Sequence, residues 1–256
     1  MRAGLVAVAL APVQWWLAQC GQGSDVEWMS ASEQTRHARI AHAIRRQEFV
    51  AGRFALRVLL ARHMPGTHWR DWQLEAPEHR PPRLRACRAA TRQGVAIERL
   101  HLSLSHSGGL LAVALADQPV GIDLETPQKP RMLDGLIDAV CTPREQSRIA
   151  QLPPPRRRAA FDAMWALKEA WFKRETTGID LAMIAHLETV TGLPAGVPHN
   201  GWQAIGECYA LALCVPTLQD RVVEWHFDDM GTAPEIVRCH AEYDGYAPGP
   251  AWTEGP

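Results

Sequence analysis

Apolar and polar residues alternate along Val120-Gly-Ile-Asp-Leu-Glu125. Val120, Ile122 and Leu124 fall on one face of a predicted strand, and Asp123 and Glu125 share the other. Further along, the period changes. Trp165, Glu169 and Lys173 recur at i, i+4 and i+8, which places them in one stripe of a predicted helix. An earlier helix is predicted from about Ile44 to His63, with Phe49, Leu56, Leu59 and Leu60 near one face and Arg46, Arg53 and Arg57 along another; Pro65-Gly66 is its stop. Leu102 to Gly109 reads as a strand ending in a Gly-rich corner, and Leu110 to Ala116 as its hairpin partner. Asp117-Gln118-Pro119 then turns the chain into the acidic strand. Thr142-Pro143-Arg144-Glu145 is a capping box with Pro at the first helical position. Pro153-Pro154-Pro155 interrupts the chain, so the helix containing Trp165 is predicted to begin near Arg158 and to stop at Thr177-Gly178. Alternation predicts strands at 207–215 and 221–227, and Leu5 to Ala18 is read as an opening strand. The Gly- and Pro-rich stretch beyond Asp228 predicts a loose tail.

The polar positions of the strand and the helix carry the chemistry. Hard carboxylate oxygens suit Mg²⁺, which keeps several waters and is held by a few acids together with substrate phosphates. Asp123 and Glu125 on a strand facing Glu169 on a helix meet that demand, and Lys173, one turn beyond Glu169, reaches the same ligand. Of the 27 basic side chains only Lys129, Lys168 and Lys173 are lysines, the rest being arginine. Two of the three thus stand in one nine-residue motif, where a compact ammonium is wanted over a planar guanidinium. Upstream, Ser105, His106 and the Gly108-Gly109 backbone offer hydrogen-bond donors to phosphate oxygens.

Charge is uneven. The net charge is −1, yet residues 1 to 100 carry 15 Arg against 8 acids, and residues 175 to 256 carry 2 Arg against 12 acids. The N-terminal half therefore suits a polyanion. The arginines at 80, 83, 85, 88 and 92 and the run Arg156-Arg157-Arg158 are candidate contacts for an acidic partner or solvated loops. With 256 residues and 46% apolar composition, the chain can bury one large core or two small ones, and two lobes of about 100 residues each are expected. The six cysteines show no Cys-x-x-Cys and no metal-ligand spacing, which predicts a reduced cytoplasmic protein without zinc. Gln19 before Cys20 is unlike the small residue of a lipoprotein cleavage site, and no apolar run reaches the roughly 18 residues of a membrane span.

Ser105-His106-Ser107, Gly121-Ile-Asp-Leu-Glu125 and Trp165-x-x-Lys-Glu-Ala-x-x-Lys173, in this order and spacing, resemble the 4'-phosphopantetheinyl transferases of the two-lobed, surfactin-synthetase-activating (Sfp) type. Phe49 to Arg57 and a degenerate His79-Arg80-Pro81 extend the similarity over about residues 28 to 190. The resemblance implies an α+β fold of two similar lobes, each a small, mainly antiparallel sheet packed on a long helix, with coenzyme A and Mg²⁺ in the cleft between them. The corresponding division is 1–118, 119–230 and a tail at 231–256. It further implies Asp123, Glu125 and Glu169 as ligands of Mg²⁺, or of Mn²⁺, and Glu169 as the base for an incoming serine hydroxyl, directly or through water. Lys173 would neutralise the pyrophosphate. Ser105 and His106 would contact coenzyme A phosphates, with Arg80 where the family has the lysine of Gly-Lys-Pro. Arg45 and Arg46 stand nearest the residues that hold the 3'-phosphate, and Arg53 lies in the same helix. The implied activity is transfer of the phosphopantetheine arm of coenzyme A, the co-substrate, to an apo acyl, peptidyl or aryl carrier protein by a cytoplasmic monomer without nucleic-acid or membrane partners. The rival readings are a metal-dependent phosphodiesterase or nuclease and a non-catalytic module that binds coenzyme A or a carrier protein. Against the nuclease, Glu169 and Lys173 are four apart on a helix instead of forming a Glu-x-Lys strand.

Overall fold

A computed structural model describes residues 5–20, 26–78, 80–87, 97–127, 133–189, 199–206, 208–218 and 223–226. In chain order these form β1 (Val6–Pro12), α1 (Val13–Cys20), α2 (Ala31–Arg39), α3 (Ala43–His63), β2 (Trp72–Glu75), β3 (Arg83–Cys87), β4 (His101–Ser107), β5 (Leu110–Ala116) and β6 (Gly121–Glu125). Then follow α4 (Leu133–Val140), α5 (Pro143–Gln151), α6 (Pro154–Glu175), α7 (Leu181–Ile184), β7 (His199–Ile205), β8 (Ala210–Leu218) and β9 (Val223–His226). The chain divides into two compact units, and the crossing from the first to the second falls between Val120 and Gly121.

In the first unit, strands in the order β4-β5-β1-β9 make one sheet and β2-β3 a second. The β4–β5 hairpin turns on Gly108 and Gly109, whose φ of 54° and 82° are the left-handed pair a two-residue hairpin turn demands. Its register runs from Ser107 opposite Leu110 to His101 opposite Ala116. Helix α3 packs Ala51, Phe54, Ala55, Leu59 and Leu60 into a core with Ala7, Ala9 and Ala11 of β1 and Leu111, Val113 and Leu115 of β5. Two expectations are corrected here. The opening strand stops at Pro12, and the tandem tryptophans lie on α1, where Trp16 is buried with its ring 6.3 Å from Phe54. The strand at Val223–His226, expected in the C-terminal lobe, pairs parallel with β1 and completes the first sheet. Alternation marks a strand but does not say which free edge receives it.

Of the α3 arginines, Arg53 and Arg57 are buried, whereas Arg45, Arg46 and Arg62 are exposed. Arg57 is buried and donates from Nη1 and Nη2 to Glu33 of α2 at 3.0 and 2.6 Å, and from Nε to the Trp72 carbonyl at 3.0 Å. Glu33 also closes a capping box with Ser30 at the start of α2. This charged pair, with its hydrogen bonds saturated, fastens α2 and β2 onto α3.

In the second unit, β6-β8-β7 form an antiparallel sheet. Helix α6 lies on the face that displays Ala212 and Cys214, burying Ala166, Leu167, Ala170 and Phe172. It begins earlier than expected, because Pro154 and Pro155 occupy the first turn, where a missing N–H costs nothing. It ends at Thr176, whose left-handed φ of 57° caps the last turn. The capping box at Thr142 and Glu145 opens α5 as predicted. The two α+β units therefore each build a sheet on a helix of 21 or 22 residues, as expected. Among the described residues no helix is long and apolar enough to cross a membrane. The expected tail at 231–256 lies outside the described residues.

Candidate functional site

Strand β6 and helix α6 bring the predicted cluster together. Asp123 faces α6 and is almost fully buried, and Lys173 donates from Nζ to its Oδ1 at 2.5 Å. Glu169, one turn before Lys173, lies close enough to Asp123 and Glu125 to feel the charge of both. Burial pushes the Glu169 carboxyl up to about 8; the negative charge of Asp123 adds to the rise, Lys173 opposes it, and Glu125 contributes further. Three acids and one ammonium thus share one partly buried point, and Glu169 holds its proton near neutral pH. Trp165, at the other end of the stripe, is half-buried and stacks on Phe161 with ring centroids 6.2 Å apart.

This crowding of carboxylates fits a divalent cation. Among the described residues no group of three or more His, Cys, Asp or Glu side chains is arranged to hold a metal ion by itself. An open, acid-lined point suits an ion that takes much of its shell from water and substrate phosphate. Asp123, Glu125 and Glu169 would hold it, and it would supply positive charge to phosphate oxygens.

Lys168 does not join this cluster. Its side chain is wholly buried and spends its three donors on the Val140 carbonyl at 2.6 Å, the Ile184 carbonyl at 3.0 Å and Glu145 Oε2 at 2.7 Å. Glu145 in turn accepts from the backbone N–H groups of Thr142 and Thr189 and from the Thr189 hydroxyl. The tri-Arg run is also largely spent inside the unit. Arg157 caps the carbonyls of Leu152 and Ala150, and Arg158 pairs with Asp162 at 2.8 Å.

In the first unit, Arg36, Arg45, Glu48, Phe49, Arg53 and His106 line a cavity of about 290 Å³. Arg53 is buried and stacks on the Phe49 ring at 4.7 Å, yet its Nε and Nη1 donate to nothing, and Glu33 is no nearer than 3.9 Å. Burial lowers its pKa to about 10, Glu33 resists, and Arg36 and Arg57 lower it further. A buried guanidinium with idle donors beside two other arginines is a site prepared for an anion. Arg45 reaches His106 at 3.3 Å and Glu48 at 3.2 Å.

Of the expected coenzyme contacts, Arg45, Arg53 and His106 meet at this cavity. Ser105, next to His106 on β4, points to the opposite face of the strand. Arg46 and Arg80 are exposed and do not line the cavity. His79, Arg88, Arg92 and Lys129 lie outside the described residues. Arg36 and Glu48 were missed; the excess of arginine over residues 1–100 was the only signal for Arg36, and Glu48 had none.

Residues 119–214, which hold β6, α6 and β8, match the model of the 4'-phosphopantetheinyl transferase superfamily. A 4'-phosphopantetheinyl transferase of Bacillus subtilis is 30% identical over 88 residues, covering 34% of this chain and 38% of that protein. The 4'-phosphopantetheinyl transferase psf-1 of Bacillus pumilus is 34% identical over 87 residues, covering 34% of this chain and 36% of that protein. The match thus spans little more than a third of the length of either curated relative. Residues 119–214 are thus the part of this chain that is similar to the 4'-phosphopantetheinyl transferase superfamily.

Proposed function

We propose that the chain transfers the 4'-phosphopantetheine arm of coenzyme A to a serine of an apo acyl, peptidyl or aryl carrier protein, with Mg²⁺ or Mn²⁺ required. The observation that carries this reading is the meeting of Glu169 and Lys173 with Asp123 inside the segment that is similar to the superfamily. In the transfer, the serine oxygen attacks the phosphorus that bears the pantetheine arm. The bond from that phosphorus to the bridging oxygen breaks, and adenosine 3',5'-bisphosphate leaves. Glu169, which would be ionised once a cation offsets the charge of Asp123 and Glu125, would take the hydroxyl proton directly or through a water. Lys173 stabilises the charge that builds on the phosphoryl oxygens, and Asp123, Glu125 and Glu169 would hold a divalent ion that would supply further positive charge there. The nucleophile belongs to the partner, so this chain needs no catalytic serine.

The cavity at Arg36, Arg45, Arg53 and His106 is the candidate site for coenzyme A phosphates. Arg53→Met, which keeps length but removes the idle donors, is expected to raise the KM for coenzyme A about 10- to 100-fold, the worth of about one or two charge-assisted hydrogen bonds. An unchanged KM places the anion elsewhere. The central test is incubation with coenzyme A, Mg²⁺ and a panel of apo carrier proteins, read by mass spectrometry. Phosphopantetheine should appear on serine; no addition to any of them overturns the reading. Nucleic-acid cleavage without coenzyme A supports the nuclease instead, and tight coenzyme A binding without turnover the non-catalytic module.

A further inference from the structure

Gly121 opens β6, two residues before Asp123 and on the same strand face as Asp123 and Glu125. Its φ is not among the positive ones, so backbone conformation does not require a glycine there. Space does. A Cβ built on Gly121 would lie 1.8 Å from the carbonyl oxygen of Ala170 and 2.5 Å from the backbone nitrogen of Arg174. Both obstacles are main chain in the last turns of α6, so no side-chain rotation relieves them. Opposite Gly121 stands Cys214, and opposite Asp123 stands Ala212, both fully buried beneath the same helix. The strand therefore rests against the backbone of α6 at one end, and two residues later its carboxylate meets Lys173 at 2.5 Å.

We propose that Gly121 is a positioning residue: by letting β6 touch the main chain of α6, it sets the spacing at which Asp123 and Glu125 meet Glu169 and Lys173. The inference rests on the functional reading above. Any side chain at 121 must part strand and helix by about 1 Å or more to reach ordinary contact distance, and a misplacement of that size costs on the order of 100-fold in an aligned site. Asp123 has a short side chain and cannot follow. Gly135 is a useful contrast, because a Cβ there meets nothing within 4 Å.

The test measures Mn²⁺ binding by electron paramagnetic resonance, alongside transfer kinetics and circular dichroism, in the full chain. Gly121→Ala is expected to stay folded, lose at least about 10-fold in Mn²⁺ affinity and about 100-fold in kcat at saturating metal. Ala212→Val, which wedges sheet from helix beside Asp123, should show the same losses in smaller measure. Ile149→Val, a core trim in α5, should lower the melting temperature with Mn²⁺ affinity unchanged, and Gly135→Ala should change neither. Folded Gly121→Ala with Mn²⁺ affinity within about threefold of wild type overturns the proposal. If that variant does not fold, Ala212→Val binding Mn²⁺ like wild type does so instead. Wild-type protein that binds no Mn²⁺ and transfers nothing overturns the functional reading and this inference with it.

Discussion

Glu169→Gln is expected to lower phosphopantetheine transfer by about three orders of magnitude or more while the protein remains folded. A positioned general base contributes about 10²- to 10⁴-fold, and here the same carboxyl is one of three candidate ligands for the cation, so one substitution removes both contributions. Gln keeps the volume and the helix propensity of Glu, so α6 has no local reason to unwind. The same replacement should also alter stability in a definite direction. Burial and Asp123 raise the Glu169 pKa to about 8 from an ordinary value of 4.5, so the folded state prefers the protonated acid. A raised acid contributes stability below its unfolded pKa and loses it as pH climbs through the folded value. In chelator, wild type should thus match Glu169→Gln near pH 4.5 and melt below it at pH 9. Thermal melts at the two pH values check this; a wild type that out-melts the variant at pH 9 would show that Glu169 ionises without penalty. Retained transfer by Glu169→Gln would remove the base from the proposed chemistry.

The pairing of a two-residue period in β6 with a four-residue stripe in α6 was legible because each period is a local property of the backbone. The carboxylates had to leave the strand on one side, and Glu169 and Lys173 had to leave the helix on one side. That these sides face each other is expected from the acids and the lysine they carry, and in the structure Lys173 lies 2.5 Å from Asp123. The capping box at Thr142 was legible for the same local reason, and the Gly108-Gly109 turn likewise. What stayed hidden depends on partners distant in sequence. Arg57 and Arg46 lie on one side of the same helix, yet one is sealed against Glu33 and the other meets water. Trp15 and Trp16 read as strand residues until α3 supplies the surface that Trp16 covers. The edge of β1 that accepts β9 is invisible in the pattern of β9 itself.

Lysine scarcity illustrates the limit. It marked Lys168 and Lys173 as positions where an ammonium is wanted, and both are, for different reasons. Lys173 serves the acid cluster, whereas Lys168 fills a buried point with three acceptors for its three donors. A guanidinium brings five donors in a plane and would leave some of them without partners there.

Lys168→Met is accordingly expected to act on stability. It leaves the buried Glu145 carboxylate with Arg148, 3.9 Å away, in place of its 2.7 Å ammonium partner and strips the carbonyls of Val140 and Ile184 of a donor. Burial disfavours the charged form of Lys168 and lowers its pKa, while Glu145 counters that. Breaking such a pair from one side costs about 3–5 kcal/mol. For a unit of this size that is a fall of about 10 °C or more in melting temperature. Lys168→Arg should rescue little of it, because shape and donor count are both wrong. A cycle with Glu145→Gln should give a coupling above about 1 kcal/mol, since the two side chains touch. The alternative placement of Lys168, beside Lys173 at the acid cluster, predicts the reverse pattern: an inactive variant that melts like wild type. Differential scanning calorimetry and the transfer assay on the same sample separate the two. A melting temperature within about 2 °C of wild type would return Lys168 to the chemistry and remove it from the scaffold that holds α6 between α4, α5 and α7.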